Sequence, residues 1–156
     1  MQEGLPLHGE ALLESWRARV GAYPEPLRRA MIRKHWRFFP LRFYDEAIAA
    51  RDTEIWRMEM LVNAAFNLLG VLAGLNRLYF TKDQLKRTRR LVAGMRLAPV
   101  DLVDRLEALF RLEPSAAADE LEALIEETRV LVLSELPDLE LSMRFRAGAR
   151  QQPWGP

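Results

Sequence analysis

The sequence predicts an all-α fold, a bundle of about six or seven helices around one long central helix at about Asp52–Leu78. Three observations predict it. Apolar residues recur at three- and four-residue spacing along most of the chain, and no stretch alternates with the two-residue period of a strand. Prolines fall between these runs, at Pro24, Pro40, Pro99 and Pro137. The run from Met60 to Leu75 is apolar almost all round, broken only by Asn63, Asn67, Gly70 and Gly74. A helix without a polar face must be surrounded. The run is shorter than the roughly 18 apolar residues of a membrane span, so it is assigned to a protein core.

The elements follow in order. Residues 1–8 are a loose lead-in. From Glu10, Leu12, Leu13, Trp16 and Val20 mark a first helix that Gly21 can end. Pro26 suits the first position of a second, with Leu27, Ala30, Met31 and Trp36 inward, ending near Phe39 before Pro40. A third spans Leu41 to Ala50, and Asp52 is a good N-cap for the central helix. Thr81 and Gln84 have capping-box spacing at the start of a fifth helix running to about Met95. That helix is basic, with Lys82, Lys86, Arg87, Arg89, Arg90 and Arg96. Pro99 starts a sixth. Ser115 caps a seventh, acidic at its start, which Pro137 stops. Residues 1–142 form a single domain, and 143–156 lack periodicity and are expected to be a mobile tail.

A formal net charge of +1 argues against a nucleic acid or an acidic membrane as partner. Without cysteine there is no disulfide or thiolate chemistry, and two histidines are a poor basis for structural zinc. No basic, then apolar, leader opens the chain, so the expected location is cytoplasmic. There is no glycine-rich phosphate loop, nucleophile elbow or H-E-x-x-H helix, so no catalytic or metal-binding residue is assigned.

Candidate binding residues fall in two groups. Glu59, Asn63 and Asn67 succeed one another at four-residue spacing and can form a polar stripe facing a cleft, or a network between helices. Lys82 and Lys86 follow the Thr81 cap, where free N–H groups favour an anion, and Asn76 and Tyr79 lie on the turn before it. The spacing of Arg28 and Arg29 to His35 is loosely similar to the Arg…His pair of the helical HEPN ribonucleases, though an exposed basic helix explains it better. Trp36, Phe38, Phe39, Phe43 and Tyr44 crowd around Pro40, which suggests a dimer or a partner surface.

Arg51-Asp52, Leu75-Asn76-Arg77-x-Tyr79-Phe80-x-Lys82 and Tyr23-Pro24-x-x-Leu27 with Ile32 carry a further likeness. Over roughly residues 9–112 the chain resembles the helical C-terminal domain of a group of bacterial nucleotidyltransferases related to the aminoglycoside nucleotidyltransferases. The resemblance implies an accessory, substrate-binding domain that closes the cleft over a catalytic sheet. It implies contact with nucleotide or substrate at Asp52, Asn76, Tyr79 and Lys82. The family's Gly-Ser and Asp-x-Asp motifs are missing here. The expected activity therefore needs a separate catalytic domain, and Mg2+ and a nucleoside triphosphate bind only in its presence. The expected partners are that domain or a second copy, and a nucleotide or small molecule.

Overall fold

The computed structural model describes residues 10–38 and 54–141, with the side chains of residues 19 and 20 left aside. The third helix of the sequence reading, Asp52, the aromatics Phe39, Phe43 and Tyr44, and the tail lie outside the described residues. The fold is all-α. In order come α1 (Glu10–Gly21), α2 (Glu25–His35), α3 (Glu54–Leu75), a 3-10 helix (Lys82–Arg87), α4 (Thr88–Ala93), α5 (Leu102–Ala108) and α6 (Pro114–Glu135).

α3 is the centre of the core. Leu61, Leu68, Leu69, Val71, Leu72 and Leu75 are each at most 1% exposed. Its length and composition would also let it cross a bilayer, beyond what the Met60–Leu75 run alone suggests, but 61% of its apolar window is buried by the rest of the fold. The closest neighbour is α2, and two glycines set that approach. A Cβ on Gly74 would stand 3.0 Å from the Met31 Cβ and 3.4 Å from the Arg28 carbonyl oxygen. A Cβ on Gly70 would run into the His35 ring. Gly70 and Gly74 are four residues apart, hence on one face, and together they form a groove for α2.

α3 and α6 are both 22 residues, about 33 Å at 1.5 Å per residue. They run the same way. Their last residues, Leu75 and Glu135, both meet Arg28. At the other end Arg57, in the first turn of α3, feels the charge of Glu113, the residue before α6. Parallel helices of this length align their dipoles and place two negative ends together. The buried Arg28 side chain, 4% exposed, is the cation that offsets them. Its Nε donates to the Leu75 carbonyl at 3.1 Å and its Nη2 to Glu135 at 3.2 Å.

Element boundaries differ from expectation in instructive places. The central helix ends at Leu75 rather than Leu78, because Asn76–Leu78 form its C-cap. The expected helix from Thr81 to Met95 breaks at Arg87, whose φ of −139° and ψ of 40° separate the 3-10 helix from α4. Leu85 and Leu91 are six residues apart, which on one continuous α-helix would point them about 120° apart. The break lets both pack inward. α5 begins at Leu102 rather than Pro99, after Asp101 at φ 52°. α6 begins at Pro114, with Ser115 inside its first turn and not at the cap. α2 ends at His35, earlier than Phe39.

Candidate functional site

The corner that follows α3 is built from its own backbone outward. The Arg77 N–H bonds the Gly74 carbonyl at 3.1 Å and the Leu78 N–H reaches the Ala73 carbonyl at 2.8 Å. This paired closure is the Schellman motif, with Arg77 at φ 58° in the position glycine usually takes. Asn76 then fixes the corner to the chain after α4. Its Nδ2 donates to the Leu72 and Leu97 carbonyls, both at 2.8 Å. Its Oδ1 accepts from the N–H groups of Arg96 and Leu97 at 2.8 and 2.9 Å. Two donors and two lone pairs are the whole capacity of an amide. Asn76 is a clamp and leaves no hydrogen-bonding position for a ligand.

Tyr79 and Phe80 alternate on the next two residues. Phe80 turns in, its ring 5.0 Å from Phe66 and 5.7 Å from His35. Tyr79 turns out, 39% exposed, with its ring centroid 4.9 Å from Tyr23. The Tyr23 hydroxyl is buried, and that burial and its neighbour Tyr79 raise its pKa above the usual phenol value. Lys82 follows, exposed and without an ion-pair or hydrogen-bond partner among the described residues. The Gln84 amide oxygen accepts from the Thr81 N–H at 3.4 Å, within the capping box expected there.

Two parts of the expected anion site change with this geometry. Lys82–Arg87 is a 3-10 helix of six residues, too short to supply the dipole of a long α-helix. With three residues per turn, Lys86 stands about a third of a turn round from Lys82 instead of beneath it. Lys86 meets Asp83, one turn back, at 3.8 Å. The corner therefore offers exposed ammonium groups, with little help from a helix end.

The stripe on α3 also divides. Glu59 and Asn63 are exposed, while Asn67 turns towards α2. The Asn67 Nδ2 donates to the Arg37 carbonyl at 2.7 Å, which orients its Oδ1 to His35 Nδ1 at 3.3 Å. With the amide so oriented, Nδ1 carries the imidazole proton and donates it. Asn67 is thus part of a network between helices, and Glu59 and Asn63 do not join it.

His35 and Arg28 are both 3% exposed, so the expected exposed basic helix is corrected at these two positions. The His35 ring lies edge-on to Phe66 and Phe80, with Gly70 beneath it. Burial lowers its pKa below the usual value, with Lys34 and Arg37 adding to that and the Asn67 bond opposing it. This geometry holds neither residue out to an incoming RNA strand. Trp36 and Phe38, counted in the sequence towards a dimer or partner surface, are 3% and 4% exposed and pack on each other at 5.2 Å.

Many carboxylates of the described residues are engaged by arginine. Arg105 binds Glu120 at 2.5 Å and Glu127 at 2.8 Å, Arg89 binds Asp104 and Glu107, and Arg129 binds Glu126. Among the described residues no three His, Asp or Glu side chains converge as a metal would require.

Comparison with protein-family models, with curated proteins and with solved structures finds no match.

Proposed function

We propose that this chain is a helical accessory module that receives an anionic group at the Asn76–Lys86 corner and supplies no reacting group of its own. The class it fits best is the substrate-binding domain of a nucleotidyltransferase, working with a catalytic domain that holds Mg2+ and the nucleoside triphosphate. One observation carries the reading. Lys82 is exposed and unpaired among the described residues, on a corner whose backbone is pinned by Asn76 and anchored by Phe80. A cation on a fixed backbone loses less freedom on binding than one on a mobile loop. The residues with the most chemical potential, His35, Arg28 and Asn67, are engaged in holding α2 against α3 and α6. That distribution favours a binding role over the ribonuclease alternative.

The test is calorimetric titration of ATP and of pyrophosphate into the wild type and Lys82→Ala. Removing one charge-assisted hydrogen bond should weaken binding by about 1–3 kcal/mol. Thermal stability should stay the same, because an exposed lysine contributes little to folding. Equal affinities for the two proteins would remove the reading.

A further inference from the structure

His35 ends α2, and its ring is enclosed by α3 and by the chain that follows α3. Gly70 leaves it no spare room, since a Cβ there would run into the ring. Phe66 and Phe80 flank it edge-on at 5.2 and 5.7 Å. The Asn67 Oδ1 accepts its Nδ1 proton at 3.3 Å. The charged groups that act on the ring are Lys34 within α2 and Arg37 just after it, both cations. α3 contributes neutral neighbours, Phe66, Asn67 and Gly70, and the chain after α3 contributes neutral Phe80. Among the described residues no carboxylate offsets a charge on the ring. An imidazolium in this seat would be desolvated, repelled by two cations and left with a neutral acceptor.

The surroundings of the ring do not yield equally. Phe66 and Gly70 lie inside the 22-residue α3. Arg28 and Arg29 tie the body of α2 to Glu135 and Asp138. Trp36 and Phe38 are buried and keep the chain after α2 in the core. Phe80 is held less firmly. It is only partly buried, Tyr79 and Thr81 on either side of it are exposed, and the 3-10 helix that follows has no buried residue. Its ring rests on Phe66 and His35.

We infer that His35 is a proton-operated latch on Phe80: a proton on Nε2 drives the ring from its seat on Gly70, breaks its contact with Phe80 and frees residues 80–84, while the rest of α2 stays docked. Nε2 takes the proton because Nδ1 already carries one towards Asn67. Acid favours the open form, since a ring returned to water regains its ordinary basicity and the open form then holds more protons. Asp138, held below its ordinary range by Arg29, stays charged through this window and keeps α2 tied. The inference goes beyond the anion reading and does not rest on it, because the release is read on the protein itself. Where the corner receives an anion, the same release loosens the chain that carries Lys82.

The experiment is nuclear magnetic resonance of the full chain between about pH 7.5 and about pH 4.5, which spans the imidazole range. The His35 ring protons report their own titration, and nuclear Overhauser contacts report how the ring is seated. The His35–Phe80 contact should be lost with the midpoint of the His35 titration, and the amides of residues 80–84 should shift with it. The contact between Met31 and Gly74 should persist, because that part of α2 stays docked. Asn67→Asp supplies the missing counter-ion at nearly the same size. In that variant His35 should titrate higher than in wild type, and its contact with Phe80 should survive protonation. A wild-type His35–Phe80 contact that persists through the titration overturns the latch. Loss of the Met31–Gly74 contact at the same midpoint also overturns it, since the whole fold would then be opening. So does a His35 that takes up no proton before the chain unfolds. An Asn67→Asp protein that loses the Phe80 contact at the wild-type midpoint counts against it equally, and if that variant does not fold, the wild-type contacts decide.

Discussion

Gly70 decides how closely α2 and α3 approach, and its effect can be weighed. Alanine is the better helix former by about 1 kcal/mol, so Gly70→Ala would stabilise an isolated α3. In the folded protein the added Cβ would meet the Nδ1 and Cδ2 of His35 at 2.6 and 2.7 Å. That ring cannot swing aside freely, since Phe66, Phe80 and Asn67 hold it. Overpacking of this kind costs about 1–3 kcal/mol, and a rigid neighbour puts it at the upper end. Gly70→Ala should therefore lose about 2 kcal/mol in urea unfolding. Gly21→Ala is the control, because nothing lies within 4 Å of a Cβ there. It should be neutral or slightly stabilising, and a Gly70→Ala protein as stable as wild type would refute the close-approach argument. The sequence already contained the sign of this contact. Gly70-x-x-x-Gly74 within an apolar helix marks a face where another backbone can come near, yet the pattern reads equally as two interruptions in an apolar run. His35 itself was not legible, because what buries it comes from residues 31 to 45 positions further on.

At the scale of elements, the parallel pair α3 and α6 depends on a cation placed 47 and 107 residues away from the groups it binds. Arg28 sits among Arg29, Arg33 and Lys34, so its local sequence describes a solvated basic helix. Only the arrival of two helix C-termini makes it a core residue. Replacing it with Met keeps much of the volume but removes the donor to the Leu75 carbonyl and the pair with Glu135. Glu135 is 38% exposed and can rehydrate, so the full cost of an orphaned buried charge does not apply. The loss should be about 2–3 kcal/mol, the range for hydrogen bonds from a charged donor. Urea unfolding of Arg28→Met with no loss would mean that the pair of C-termini needs no cation. Helix existence was well marked in the sequence, and five of the expected segments recur in the structure. Their ends were less so. The break at Arg87 serves the burial of Leu85 and Leu91 together, a tertiary demand that no capping residue announces. For the candidate site, Lys82 is exposed and Tyr79 half-exposed, whereas Asn76 is consumed by the loop after α4, a contact 20 residues distant.

The whole molecule should lose stability in two stages as pH falls, and the sign follows from which state holds more protons. His35 has its folded pKa depressed below the ordinary 6.5 by burial. In the unfolded chain it returns to that ordinary value, so between the two pKa values the unfolded state binds more protons. Stability from keeping this ring neutral is therefore present above about pH 6.5 and is lost as pH falls through the folded value. Protonation would place a charge beside Lys34 and Arg37, in a site where, among the described residues, Asn67 alone hydrogen-bonds the ring. A second stage belongs to carboxylates held below their ordinary range by arginine: Asp138 by Arg29, Glu54 by Arg57, Glu126 by Arg129 and Glu127 by Arg105. Their stabilisation is present above about pH 4.5 and is lost as pH falls through the lower folded values, each pair contributing little because it is solvent-screened. Urea unfolding at about pH 7.5, 5.5 and 3.5 separates the stages. Wild type should weaken already at 5.5 and further at 3.5. His35→Gln keeps an amide within reach of Asn67 but cannot titrate, so it should start less stable at 7.5 and stay level down to 5.5. The chain has two histidines, and the second, His8, is unchanged in that variant. A His35→Gln protein that falls as steeply as wild type between pH 7.5 and 5.5 would place the first stage elsewhere and end the assignment to the buried ring.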